Sequence, residues 1–539
     1  MIGWRLKKPF NKKIFNAILG VSVGALTVAG IAAAFAYKDT NPLKKVFFNF
    51  SQYASDSNLE KMQEHFNYRT YSDVEEFKDQ LLASKIASGI TSLYTAASFI
   101  KDGLIQPIDY DAFFNLETPR GANFYDDDWA KKTFTPVVYQ QLKSYDEYLN
   151  SNENLKNKYP NQPLHFWNFF VPYYAQEKIF AYDWNDLDKT KLTDKEKENL
   201  EIDFDTRLAE KNQDNSLGNV MQITNSLFSN NQMIVVHDEM RDNYAIGSSN
   251  FVDQEVENFD PVLSLKDNKY QKYLDQFSSD ISNATNNSTF ADVAKLQMLP
   301  DSDIVLNSLI NPDLNVGASV MYNGDAIDAF FAKDNFQKYK DEENNIDITP
   351  VRIKKLKTEI VLIDGLILPS YLTENEKKDV LKTTHDSLYD GWFVEDYQTI
   401  PDELYGTYQN KNSSETSQMY DDENSTFTKE GFKNYDFVNF NPVTNLANNL
   451  ILYGAPEIPE ATEEGIDYSS NYMASYLEDY YSNGENASEE EKATFAKYLN
   501  IVSNIGNISY ATKVPTFINP ISDVLSAAVK IYYENKFKN

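Results

Sequence analysis

Residues Ile360-Val361-Leu362-Ile363-Asp364-Gly365-Leu366-Ile367-Leu368 form an apolar run broken by one carboxylate and one glycine. Such a run predicts a strand covered on both faces, as in a parallel sheet packed between helices. An ionised carboxylate inside it costs several kcal/mol unless it is paired or opens onto a cleft. A strand-end aspartate capping the next turn, with Gly365 supplying the bend, accounts for it equally well.

The chain around this run alternates strand and helix. Lys45–Phe50 reads as a strand, followed by a helix with Ser57 and Glu60 in capping-box spacing. Tyr68–Tyr71 precedes a second helix opened by Ser72 and Glu75, and an extended piece from Ile90 precedes a helix over Ala96–Asp102. Met233–Val236 leads into a helix from Asp238, and Ala318–Tyr322 into Asp325–Phe331. Thr373 and Glu376 cap the helix after Leu368. Alternation of this kind indicates an α/β fold. Stretches rich in Asn, Ser, Asp and Lys at 186–215, 276–290, 408–428 and 456–490 read as surface insertions or mobile loops.

The first forty residues differ. Arg5, Lys7, Lys8, Lys12, Lys13 and Lys38 stand against Asp39 alone, whereas the whole chain carries −31. Between the bases, Ala17 to Tyr37 is 21 weakly polar residues, enough at about 1.5 Å each to cross a hydrocarbon core of about 30 Å. The basic flank, residues 1–16, stays cytoplasmic and residues 38–539 lie outside, which makes a single-pass cell-membrane protein. Ala34-Phe35-Ala36 resembles a signal-peptidase site, but the apolar stretch is longer than a usual signal core and favours an uncleaved anchor. Gly20-Val21-Ser22-Val23-Gly24 matches nucleophile and helix-pairing patterns only through its Gly/Ala-rich composition.

The acidic remainder argues against nucleic acid. The absence of cysteine excludes disulfides, thiolate metal sites and lipid attachment through Cys. His65, His165, His237 and His385 are scattered without metal-ligand spacing, and no phosphate-cradling glycine loop is present. Neither a metal nor a cofactor is expected. Asp126-Asp127-Asp128 lacks the glycine and distal glutamate of a calcium loop and reads as a solvated loop. Glu239 and Asp242 project from one face of a helix's first turn, where acids are stabilised by the backbone dipole or are free to meet a ligand. The 81 acids leave a carboxylate-pair glycosidase open.

The order of several short motifs resembles that of the polyamine-binding proteins, the spermidine/putrescine receptors of bacterial ABC importers. Phe48-Asn49-Phe50-Ser51-Gln52-Tyr53, Ser92-Leu93-Tyr94 and Lys101-Asp102-Gly103-Leu104-Ile105-Gln106-Pro107 resemble the opening lobe. Val171-Pro172-Tyr173 resembles the first crossing between lobes, and Asp238-Glu239-Met240-Arg241-Asp242 the acidic helix start. Met321-Tyr322-Asn323-Gly324 resembles the ligand-facing turn, and Leu362 to Pro369 the return strand. The resemblance implies a two-lobe, type II periplasmic-binding-protein-like fold with a cleft between the lobes. Lobe 1 would comprise 44–172 with 360–450, and lobe 2 would comprise 173–359 with 451–539. It implies a receptor that is not an enzyme and that hands a polyamine to a permease driven by a separate ATPase; Ala17–Tyr37 would be its membrane anchor, and the Asn-, Lys-, Tyr- and Phe-rich composition with no cysteine anchor points to a wall-less, mycoplasma-like bacterium.

Glu239 and Asp242 would hold one terminal amine and Asp364 an amine in the cleft interior, with Tyr322, Tyr53, Tyr94 and Phe50 walling the methylenes and Ser51 and Ser92 adding hydroxyl contacts. Charge-assisted hydrogen bonds and cation–π contact are what a flexible polyammonium chain needs. The family usually has tryptophan where Phe50, Tyr322 and Leu362 stand. A surface adhesin that kept the fold without the ligand is the alternative.

Overall fold

The computed structural model describes residues 44–538 apart from 72–73, 117–125, 161–162, 250, 252–268, 286–289, 291, 333–346, 358–359, 394–427, 455–470, 485, 509–515 and 518–522. Among the described residues eleven strands make one mixed sheet: β1 Val46–Asn49, β2 Asn67–Thr70, β3 Ile86–Ser92, β4 Phe170–Asp183, β5 Met233–His237, β6 Leu296–Leu299, β7 Val316–Tyr322, β8 Val351–Lys354, β9 Ile360–Ile367, β10 Asn441–Pro442 and β11 Thr516–Phe517. Their main path runs β2-β1-β3-β9-β4-β7-β5-β6.

The two ends of that path are parallel and the middle is not. β1 pairs in parallel with β2 and β3, and β5 with β6 and β7, as strand–helix alternation dictates. β9, expected to lie in a parallel sheet, runs antiparallel to both β3 and β4 and is parallel only to β11. The reason is positional. β4 and β9 pair along their lengths, and they carry the chain between the two parallel groups. β4 continues past β9 to pair with β7, over Lys178–Tyr182. Burial on both faces, which the apolar run did signal, is common to either pairing direction.

Helix starts follow local chemistry. Thr373 and Glu376 form the expected capping box. Ser55 rather than Ser57 caps the helix Asp56–His65, accepting from the Asn58 amide at 3.3 Å. Asp126 caps Asp127–Thr133, so the acidic triple begins a helix rather than a solvated loop. Segment 186–215 is folded, not a loose insertion. It holds the helices Asp194–Asn199 and Phe204–Glu210, buries Ile202, Phe204 and Leu208, and encloses a Glu196–Arg207 ion pair at 2.6 Å. Segment 276–290 belongs largely to the helix Lys269–Ala284, whose Tyr273, Leu274, Phe277 and Ile281 turn inward while its polar residues face out. In 456–490, the helix Tyr472–Leu477 is likewise packed. Positions 408–427 lie outside the described residues.

The buried apolar residues form two clusters. One joins β1, β3 and the first half of β4 to the helices Leu93–Lys101 and Glu489–Gly506. The other gathers Phe180, Tyr182, Ile234, Val236, Val320 and the helix Asp523–Phe537. Among the described residues no helix is long and apolar enough to cross a membrane. The expected span Ala17–Tyr37 lies outside those residues.

Candidate functional site

The two crossing strands bring polar groups to the middle of the molecule. Asp364 on β9 sits opposite Ser92 of β3 and Tyr174 of β4, beside an irregularity in β4 between Pro172 and Tyr174. Its side chain is buried. The Tyr53 hydroxyl donates to its Oδ2 at 2.6 Å and Gln176 Nε2 donates to the same oxygen at 2.8 Å. Oδ1 has no hydrogen-bond partner among the described residues. Burial pushes the carboxyl up to about 7, against the two donors, with the Asp242 charge adding to the rise. Asp364 thus neither caps a turn nor sits at a strand end.

Aromatic rings surround this acid. Tyr53 meets Phe50 at 5.4 Å between centroids, Tyr173 at 5.9 Å, Tyr174 at 5.8 Å and Phe440 at 5.6 Å. Phe440 also reaches Tyr322 at 6.4 Å between centroids. Gly324, at the start of the helix Asn323–Ala332, makes room for that ring. A Cβ there would stand 2.1 Å from Phe440 Cδ1.

The second acid has a different setting. Asp242, in the first turn of the helix Met240–Ser249, is buried and accepts from the Tyr322 hydroxyl at 2.6 Å. Lys178, directly across the β4–β7 ladder from Tyr322, places its ammonium 2.6 Å from Asp242 Oδ2. The same ammonium lies 3.6 Å from the Tyr322 ring centroid and 3.5 Å from His237 Nδ1. Burial alone would raise the Asp242 carboxyl, but the Lys178 charge and the hydrogen bonds from Lys178 and Tyr322 hold it below the usual carboxylate range. Burial and the Lys178 charge push His237 down to about 4, so its ring is neutral and can accept.

Glu239 is half-buried, and burial together with Asp242 raises its carboxyl. One oxygen accepts from the Arg241 amide at 3.1 Å. Tyr94 is pushed up to about 12 by burial and by the neighbouring Glu239, and the Arg241 guanidinium lies 5.0 Å from its ring.

Seven of the nine candidate residues fall into three groups: Asp364 with Tyr53 and, through that ring, Phe50; Asp242 with Tyr322; and Glu239 with Tyr94. Ser92 lies opposite Asp364 but shares its hydroxyl hydrogen bond with Thr95 at 2.8 Å, and Ser51 is exposed. Sequence reasoning missed Gln176, Lys178, His237 and Phe440. The first two had a visible signal, because Gln176-Glu177-Lys178 interrupts the apolar run Phe170–Tyr182 much as Asp364 interrupts its own. Among the described residues no group of three or more acids and histidines is arranged to hold a metal.

Comparison with the curated proteins finds no match. Among solved structures, the chain is similar to the spermidine/putrescine ABC transporter substrate-binding protein PotD of Streptococcus pneumoniae, with 11% identity over 91% of this chain and 99% of that one and a TM-score of 0.39. A putative spermidine/putrescine ABC transporter protein of Listeria monocytogenes gives 10% identity, 92% and 99% coverage and a TM-score of 0.42. An ABC transporter solute-binding protein of Agrobacterium vitis with bound D-mannitol gives 8%, 92%, 97% and 0.38. These neighbours are transport proteins with different ligands, and likenesses this remote transfer no ligand. A family profile, in contrast, matches residues 8–519, nearly the whole sequence. The chain belongs to the MG045 family of hypothetical lipoproteins.

Proposed function

We propose that this chain is the solute-binding component of an ABC importer, capturing an amine of the polyamine class, spermidine or putrescine, between its two halves. The observation that carries the reading is Asp364: a buried carboxylate on a crossing strand, one oxygen fixed by Tyr53 and Gln176 and the other unpartnered among the described residues, inside an aromatic wall. An ammonium entering there would restore the ionised form of the acid, and its methylenes would lie against Phe50, Tyr53 and Phe440. Lobe 1 is 44–172 with 360–450 and lobe 2 is 173–359 with 451–539, with β4 and β9 as the hinge. A permease and its ATPase are the partners that would receive and drive the solute.

The family name implies a lipid anchor, yet the 539 residues contain no cysteine to carry a thioether-linked lipid. Residues 17–37 are the proposed anchor, with the bulk of the chain outside the cell. Calorimetry of the full chain with putrescine and spermidine tests the function. Micromolar binding, about −8 kcal/mol, is expected, with at least a tenfold loss in Asp364→Asn. Absence of binding, or intact affinity in the variant, refutes it. The ion pair already made by Asp242 favours a second reading, a surface adhesin that keeps the fold without an amine ligand, and under that reading neither amine binds.

A further inference from the structure

Lys178 stands where a ligand ammonium would be expected. Its side chain is 1% exposed, and Asp242 beside it is 2% exposed. Three features that a cation site offers a ligand converge on its Nζ: a carboxylate oxygen at 2.6 Å, the face of a tyrosine at 3.6 Å and a neutral imidazole nitrogen at 3.5 Å. The carboxylate oxygen it uses also accepts from Tyr322. The backbone that carries Lys178 is fixed by ladder pairing on both sides, to Ile360 of β9 and to Tyr322 of β7. A second ammonium brought to Asp242 would meet a like charge at contact distance. Moving Lys178 aside would leave a buried ammonium to be re-paired elsewhere.

We infer that Lys178 is the resident cation of the Asp242 position, so that the solute is recognised through one ammonium group, at Asp364, and a second ammonium on the solute adds no affinity. The inference rests on the amine reading of the cleft. It makes Lys178 a specificity-determining residue: within the amine class, one ammonium and a tail of several carbons suffice for recognition, and the further ammonium groups of putrescine or spermidine are not read at Asp242. Among the described residues Asp364 has no such occupant, and the side chains that hydrogen-bond to it are the neutral donors Tyr53 and Gln176.

The test compares putrescine with n-butylamine, which has the same four-carbon chain and only one ammonium, by calorimetry on the full chain. Wild type should bind the two within about threefold of each other. Lys178→Ala vacates the position, and putrescine should then bind at least tenfold more tightly than n-butylamine, equivalent to about 1.4 kcal/mol. The double variant Lys178→Ala/Asp242→Asn removes both buried charges and should return the ratio to within about threefold. If the single variant does not fold, the wild type and the double variant decide, because the inference requires the same near-unity ratio in both. A wild type that already prefers putrescine tenfold, with the preference lost in the double variant, overturns the inference and leaves the amine reading standing. A folded Lys178→Ala without the gain overturns it too. If neither amine binds any of the proteins, the amine reading fails and the inference falls with it.

Discussion

Asp364→Asn should change stability in a way that depends on pH. In the folded chain the carboxyl titrates near 7, whereas a free aspartate titrates near 3.8. The unfolded chain therefore ionises first. As pH rises from about 4 through 7 the folded state retains a proton that the unfolded state has released, and stability falls. A shift of about three units corresponds to about 4 kcal/mol at full development, and about 2–3 kcal/mol of that develops between pH 5 and pH 8. Asparagine stays neutral throughout. Its amide oxygen can keep the donors Tyr53 and Gln176, but its amide nitrogen then faces the side where Oδ1 has no partner among the described residues, at a cost of about 1–3 kcal/mol.

The variant should accordingly lie within about 1–2 kcal/mol of wild type at pH 5, where the unpartnered amide and the loss wild type has already suffered nearly offset each other. At pH 8 it should have improved relative to wild type by about 2–3 kcal/mol. Urea denaturation of both full chains at the two pH values, followed by tryptophan fluorescence, measures this. Asp325 and Asp328 are also pushed up by burial, to about 7 and about 8, and weaken both proteins with rising pH, so only the difference between variant and wild type counts. A difference that does not change with pH would show that Asp364 is ionised in the folded chain, and the electrostatic account of its surroundings would be wrong.

Three further outcomes are expected. Lys178→Met leaves Asp242 buried without its cation and should cost about 3–5 kcal/mol in denaturant, most of it recovered by adding Asp242→Asn; a harmless single change would mean the pair is not buried in solution. Gly365→Ala would put a Cβ 2.5 Å from both the Phe170 ring and the Val171 carbonyl oxygen, and a loss of about 1–3 kcal/mol should appear as a lower melting temperature. Arg352→Met removes a fully buried guanidinium that pairs with Asp347 at 2.5 Å and donates to the carbonyls of Leu200, Thr349 and Val351; a loss of about 3–5 kcal/mol is expected, and an unchanged urea midpoint would contradict it.

Some of this was legible in the sequence because it is local. A charged residue in an apolar run signals an unusual environment whatever the fold, and Asp364 obeys that rule. Lys178 obeys it as well, in the polar triplet Gln176-Glu177-Lys178, but nothing local in that triplet tells that its partner is Asp242. The direction of pairing was not legible, since a strand buried on both faces shows the same apolar run beside parallel or antiparallel neighbours. The helix Lys269–Ala284 was hidden by composition: its Asn and Ser residues suggested a loop, while its inward stripe at helical spacing carried the real information. The contact between Tyr53 and Asp364, 311 residues apart, has no local signature at all.

That separation bears on how the chain acquires its structure. β3 has β1 on one side and β9 on the other, and β9 is made long after it. During synthesis the first three strands must therefore wait with an unpaired, apolar edge until residue 360 and beyond become available. Loops of that size close slowly, and an open edge is a template for pairing with other chains. Products terminated before β9 should aggregate rather than accumulate as stable fragments, and folding should depend on whatever shields the β3 edge in the interval.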